Sequence, residues 1–415
     1  MSVMLKKIVR SSISIRLLSV AFGFIGSVLV NRILGVELRG EYTTIFTYAN
    51  LLQAALNLGV AYSLVPLRNE IGEEEAKAAL ASFCWIQFVL CVSGTAVFLI
   101  FSFSIENFFI CILMSAMILN GQMTFIALIE DIRSRNLILL VSSMLYVVVN
   151  LFILIFFEKA IYLVLICLIA KYFLESILCA KKNALFCCKL DDLTIERVKL
   201  ILQYGVPTAF LAVLITLNYN VDVIMLNILN AGNFQVGLFG VAYTLSNMLW
   251  FIPDAFKEYV YNKSAEMELS GLTIILIIMN MIICVVVCFL FFVFGKAFLI
   301  FFFGQEFEAA FMVTLTVFVG IIPMVAFKLI HPIYVNAGRS LVVAFYLVVS
   351  VATNVTIAIF LIPVYGAFGA ALATVASYSF CGVLFCAKYI RDYKIKGSDV
   401  KEAYIALKRA LKETQ

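Results

Sequence analysis

Apolar residues run along this chain in stretches long enough to cross hydrocarbon, separated by short polar connections. A membrane helix needs about 20 residues. Stretches of that length fall at 12–33, 43–67, 78–102, 107–129, 137–157, 160–180, 205–230, 236–258, 271–295, 309–330, 340–362 and 365–388. The pattern predicts twelve transmembrane helices and an all-α integral membrane fold. The runs are continuous rather than alternating apolar and polar, which argues against a β-barrel. The first run is too long for a signal peptide and no small-residue cleavage site follows it, so it is expected to stay as span 1.

The longest inner connection, 181–204, divides the chain into an N-terminal six-helix bundle, 1–180, and a C-terminal one, 205–390, with a basic tail, 391–415. Within the connection, Leu193, Ile195, Val198, Ile201 and Leu202 have the spacing of an amphipathic helix lying in the interface. Val400, Tyr404, Leu407 and Leu411 give the tail the same character. The two halves resemble one another. "GEYTTIFTYANLLQAALN" from Gly40 matches "GLFGVAYTLSNMLWFIPD" from Gly237 at a constant offset of 197. Thr47 matches Thr244, Asn50 matches Asn247, and Asn57 matches Asp254. With positions 43 and 54 between them, the set steps by three and four, so each lines one helix face. Small and hydroxylated residues also serve helix packing, but a run of amides ending in a carboxylate exceeds that need and favours a water-facing stripe. With six spans per half, the repeat is parallel. The expected architecture is two bundles related by a pseudo-two-fold along the membrane normal, a design recurrent in transporters.

Composition agrees: of 415 residues, 64% are hydrophobic and 13% charged, with a mean hydropathy of +1.09. A soluble domain carries roughly 25% charged residues. The short connections leave no room for a water-soluble catalytic domain. With the N-terminus inside, outer connections hold only Arg32, Arg39, Lys159 and Lys296, and the other loop cations fall on the inner side. That asymmetry places both termini in the cytoplasm. The eleven cysteines form no metal or disulfide pattern. They read as small packing residues.

Three passages carry a family resemblance: "LVNRILGVELRGEYTTIFTYANLLQAALNLGV", "YGVPTAF" continuing to "NYNVDVIML", and "LIPVYGAFGAALATVASY". Together they resemble the Wzx-type polysaccharide flippases of the MOP exporter superfamily, which includes MATE transporters. The resemblance implies a V-shaped, MATE-like pair of bundles around a lumen, in a bacterial inner membrane. It implies flipping of an undecaprenyl-pyrophosphate-linked oligosaccharide, a repeat unit of O-antigen, capsule or exopolysaccharide, to the outer leaflet by alternating access with cation antiport. Membrane lipids, a glycan polymerase and glycosyltransferases are the implied partners. No nucleic acid, metal or cofactor is implied beyond a coupling ion, H⁺ or Na⁺. The family has no short catalytic motif to carry across, so the site residues come from the physical argument.

A pyrophosphate cannot cross hydrocarbon bare, so cations inside the spans are candidate ligands. Arg16, Lys257 and Lys328 fall in the cytoplasmic third, and Asn50, Asn57 and Asn247 line the polar stripes. Long basic side chains near helix ends also snorkel to the interface, so both readings of the cations stay open. Lys171 and Glu175, at i and i+4, suggest a neutralised pair. His331 suits proton sensing only if it faces the lumen.

"TLNYNVDVIML" places Asn218, Asn220 and Asp222 at alternate positions inside span 7. Asn218 and Asp222 share a face. A carboxylate inside a span costs roughly 2.5–3.5 kcal/mol and usually marks an ion path. Asp222, with Asn218, is the first candidate for ion coupling, and Asp254 the second. A lipid-linked peptidoglycan precursor flippase and a MATE-type drug antiporter remain alternatives in the same fold. An integral-membrane glycan polymerase would need a large outer loop, and "KLIHPIY" is a poor setting for an acyltransferase histidine. The expectation is therefore a protein that is not an enzyme.

Overall fold

In hydrocarbon a backbone must satisfy its own hydrogen bonds, and apolar runs of this length do so as helices. The computed structural model describes residues 3–186, 193–263 and 270–413, without the side chains of 3–14, 16–17, 258–263, 270 and 406–413. No strand forms among the described residues. The helices are α1 (Val3–Leu56), α2 (Leu64–Ile71), α3 (Glu73–Phe101), α4 (Ile105–Glu130), α5 (Ile132–Phe156), α6 (Ile161–Lys182), α7 (Ile195–Ile228), α8 (Asn233–Lys263), α9 (Ser270–Phe302), α10 (Ala310–Asn336), α11 (Ser340–Tyr365), α12 (Ala367–Asp392) and α13 (Gly397–Glu413).

Eleven helical segments among the described residues are long and apolar enough to cross a membrane, where the sequence predicts twelve. The difference lies in spans 1 and 2, whose helices meet end to end at a kink within the 54-residue stretch α1. Gly35 alone breaks it, with φ 66° and ψ −179°. Only glycine adopts such angles without strain, so one residue replaces a loop. The expected outer-loop Arg39 is consequently 6% exposed, its guanidinium 4.9 Å from the Tyr42 ring centre.

The chain forms two compact units, Met1–Thr216 and Leu217–Gln415. Their boundary falls inside α7, not in the 181–204 connection. The separate amphipathic helix expected there is instead the beginning of α7: Ile195, Val198 and Ile201 belong to its first turns. Residues 187–192 of the connection lie outside the described residues.

In the first unit, α1 packs against α4 and α5, and α4 against α6. One buried cluster includes Ile45, Leu113, Val164 and Leu165. A second includes Leu64, Leu80, Met123, Cys179 and Ile201. The turn after α1 holds Gly59 at φ 62° against α7, where a Cβ would lie 2.3 Å from the Gly205 carbonyl oxygen. Arg197 pairs with Glu75, and the Tyr204 hydroxyl donates to Glu70 at 3.1 Å. The early part of α7 is therefore fastened to the turn after α1 and to α2 and α3. Between α4 and α5, Asp131 accepts from the Ser134 backbone at 3.1 Å and its hydroxyl at 2.6 Å. These bonds cap α5 and hold the Asp131 carboxyl below the usual carboxylate range.

In the second unit α10 is central, packed against α8, α9 and α12. The "GAFGAALAT" run at the start of α12 behaves as its small residues suggest, with Ala367, Ala370, Ala371 and Ala373 fully buried. Gly382 lies so close to the Pro323 carbonyl of α10 that a Cβ would meet its oxygen at 2.1 Å. The tail helix α13 packs on α9.

Candidate functional site

The three polar residues singled out in span 7 are all interior. Asn218, Asn220 and Asp222 are each 1% exposed or less. Asn220, off the face that Asn218 and Asp222 share, is buried as well, so α7 is covered on more than one side. Asn354 of α11 donates to Asp222 Oδ1 at 2.9 Å and lies 3.4 Å from the Ser377 hydroxyl of α12. Thr374 of α12 also lies within hydrogen-bonding reach of Asp222. One turn earlier, Asn218 has neither side-chain amide atom paired within the described protein. Buried polar groups are rarely left so.

Asp222 opens onto a cavity of about 20 Å³ shared with Tyr219, Tyr243, Asn247, Trp250 and Tyr378. That volume suffices for one water or a small ion. Asn247 and Asn220 both reach the Tyr243 hydroxyl, which ties the α8 stripe to α7. Tyr219, Trp250 and Tyr378 form a ring cluster with centroids 5.9–6.4 Å apart.

Beyond that cluster sits a cation. Lys328 Nζ is 4.5 Å from the Trp250 ring centre and 5.5 Å from that of Tyr219. It is buried, not snorkelling. Its partner is Asp254, with Oδ2 at 3.1 Å, and the other oxygen of the same carboxylate lies 3.4 Å from Lys257 Nζ. Three predicted residues, two from α8 and one from α10, thus meet. His331 follows one turn after Phe327, stacking on its ring and facing its carbonyl oxygen at 3.2 Å through Nδ1.

The first unit has its own polar clusters. Asn57 accepts from Gln122 of α4 at 2.9 Å, and Gln122 donates to Gln87 of α3 at 2.8 Å. Glu175 of α6 is 3% exposed. It accepts from Asn120 at 2.9 Å and from the Ser142 hydroxyl, and Lys171 Nζ lies 3.8 Å away. The expected Lys171–Glu175 pair therefore forms, inside a larger network. Asn50 is half-buried on α1. The backbone of Arg16 lies in α1, but its side chain is outside the described residues.

Sequence reading missed Asn354, Thr374, Ser377 and the aromatic cluster, and in the first unit Gln122, Asn120 and Ser142. Asn354 had a signal: it is a lone amide in the apolar run "VVSVATNVTIAIF". Trp250 had none, because an aromatic in a span is ordinary.

No family model matches the chain, and no curated protein matches it. Solved structures do. An inward-facing multidrug resistance MATE family transporter of the MOP superfamily matches with a TM-score of 0.70 at 15% identity, covering 94% of this chain and 98% of that one. The lipid II flippase MurJ, in an inward closed conformation, matches at 0.72 and 14% identity, covering 97% and 90%. A MOP superfamily transporter from Pyrococcus furiosus, described as having a binding pocket of reverse polarity, matches at 0.64 and 14%, covering 93% and 95%. The chain has the MATE-like membrane transporter fold.

Proposed function

We propose that this protein is a MOP-type transporter that flips an undecaprenyl-pyrophosphate-linked oligosaccharide from the cytoplasmic to the outer leaflet of a bacterial inner membrane. One observation carries the choice of an anionic cargo. Lys328 and Lys257 converge within a membrane-spanning unit on a single carboxylate, which leaves a net positive charge. A charged group inside a span is costly and is retained for function. A drug exporter for organic cations has no use for two lysines there. Arg16, Asn50, Asn57 and Asn247 are the further proposed contacts for the sugar and its phosphates, and the glycan polymerase and glycosyltransferases are the proposed partners.

Asp222 is the proposed coupling-cation site. A buried carboxylate beside a small cavity, with an unpaired Asn218 amide one turn away, offers oxygen ligands to a small cation. Asp222→Asn is expected to lower gradient-driven transport at least about tenfold and abolish its dependence on the ion gradient. Reconstituted vesicles with and without a Na⁺ or H⁺ gradient check this, and unchanged coupling refutes the assignment.

Deleting the protein and identifying the lipid-linked glycan that builds up in the inner leaflet tests the cargo. Accumulation of an oligosaccharide repeat unit supports the reading. Accumulation of a peptidoglycan precursor would move the assignment to the second reading, which the fold match to the lipid II flippase favours. No accumulation, with hypersensitivity to cationic dyes, would point to a drug antiporter.

A further inference from the structure

The Asp254 ion pair is built unevenly. Lys328 is the recessed member, its side chain 9% exposed, whereas those of Asp254 and Lys257 are 32% and 33% exposed. The lysine is held from behind by the faces of Trp250 and Tyr219. The carboxylate comes to it from the open side. It also divides its two oxygens between lysines of different helices, one on α8 and one on α10. A pair built only for stability gains nothing from leaving its anion accessible and its cation fixed.

We infer that Asp254 is a displaceable counter-ion. It neutralises Lys328 while the seat is empty and gives way to the phosphate oxygens of an anionic ligand. The inference rests on the proposal of an anionic cargo and adds how the cation is kept compensated between cargoes. A bare ammonium in a low-dielectric setting is costly, and the Asp254 carboxylate removes that cost in the resting protein. Turning about its side-chain bonds takes Oδ2 away from Lys328 while Oδ1 stays with Lys257, already 3.4 Å away. No charge is stranded during the exchange. The Trp250 face holds Lys328 in place meanwhile by cation–π attraction. Phosphate oxygens suit the vacated position because they accept from an ammonium with the same geometry as a carboxylate, and with more charge.

The test measures binding to purified full-length protein of two probes, inorganic pyrophosphate and undecaprenyl pyrophosphate in detergent. Asp254→Asn removes the competing charge at constant shape, and is expected to bind at least one probe about tenfold more tightly than wild type. Lys328→Met is expected to lose that binding. Gain with both probes assigns the seat to phosphate chemistry alone, and gain only with the lipid form assigns it to a lipid head group. Equal or weaker binding of both probes by Asp254→Asn overturns the proposal, as does binding that survives Lys328→Met. Asp254→Ser keeps the comparison available should the asparagine variant fail to fold. Pyrophosphate should then raise the variant's melting temperature more than that of wild type. The probes carry no sugar, so this outcome separates from the flipping reaction. Tighter binding with no transport of lipid-linked sugar sinks the flippase reading and spares the exchange, and transport without tighter binding does the reverse.

Discussion

The same position in the two repeats carries different chemistry. In the first unit Asn57, the last residue of the polar stripe and the first beyond the end of α1, accepts from Gln122 of α4 at 2.9 Å. In the second unit its counterpart Asp254, on α8, meets Lys328 of α10 at 3.1 Å. The helices correspond: the second and fourth spans of each half face one another through a polar pair. In one unit the pair is neutral and extends through Gln87 to the Leu56 carbonyl. In the other it is charged, branches to Lys257, and is partly open. A neutral amide pair casts little field, while an ion pair commits each partner to a replacement whenever the other leaves. The repeat keeps a polar pair between the same two spans, though not its exact register, and the charge decides which unit can exchange partners with a ligand.

The largest effect expected from breaking this contrast comes from truncating the two stripe residues. Asp254→Ala leaves Lys328 buried beside Lys257 and should cost about 3 kcal/mol. Asn57→Ala, which leaves Gln122 its bond to Gln87, should cost about 1 kcal/mol. Thermal unfolding in detergent of both variants checks the difference, and equal losses would mean that the ion pair carries no special burden.

A smaller effect should follow from converting the first unit toward the second. Asn57→Asp sets a carboxylate against a buried amide and should cost about 2 kcal/mol. Adding Gln122→Lys should recover at least about 1 kcal/mol of that loss. The double-mutant cycle reads the coupling directly, and no recovery would show that the geometry suits amides only.

The smallest effect lies outside the spans, at a feature of the first unit alone. Asp131→Ala removes the cap of α5 and should cost about 1 kcal/mol. Because the folded carboxyl titrates below its unfolded value, its contribution is complete above the usual carboxylate range of about 4 and fades as pH falls through the depressed value. The stability gap between wild type and variant should therefore narrow in acid. Melting curves between neutral and acidic pH follow it.

Hydrophobic run length made the spans legible, because the number of residues needed to cross hydrocarbon is fixed. It could not show that Gly35 joins two of them without a loop, since a glycine between apolar runs reads equally as a turn. Asp222 and Lys328 were legible as costly charges in apolar surroundings. Their partners were less so. The contact of Asp222 with Asn354 crosses 132 positions of sequence, and nothing local marks an amide as facing one carboxylate rather than another. The ion pair was half visible: Asp254 and Lys257 share a helix face by their spacing, but the third member comes from α10, and only packing brings it in. Trp250 escaped notice because its role lies in which ion it covers.

The helix α7 has one further consequence. Its first turns are secured to the first unit by the Gly59–Gly205 contact, by Arg197 with Glu75 and by Tyr204 with Glu70, while its remainder carries Asp222 in the second. A gene cut just ahead of Ile195 would yield two polypeptides, the second of which brings its own grip on the first. Co-expressed from separate reading frames, the two pieces should co-purify without a tether, whereas a cut after Thr216 should release them from this grip.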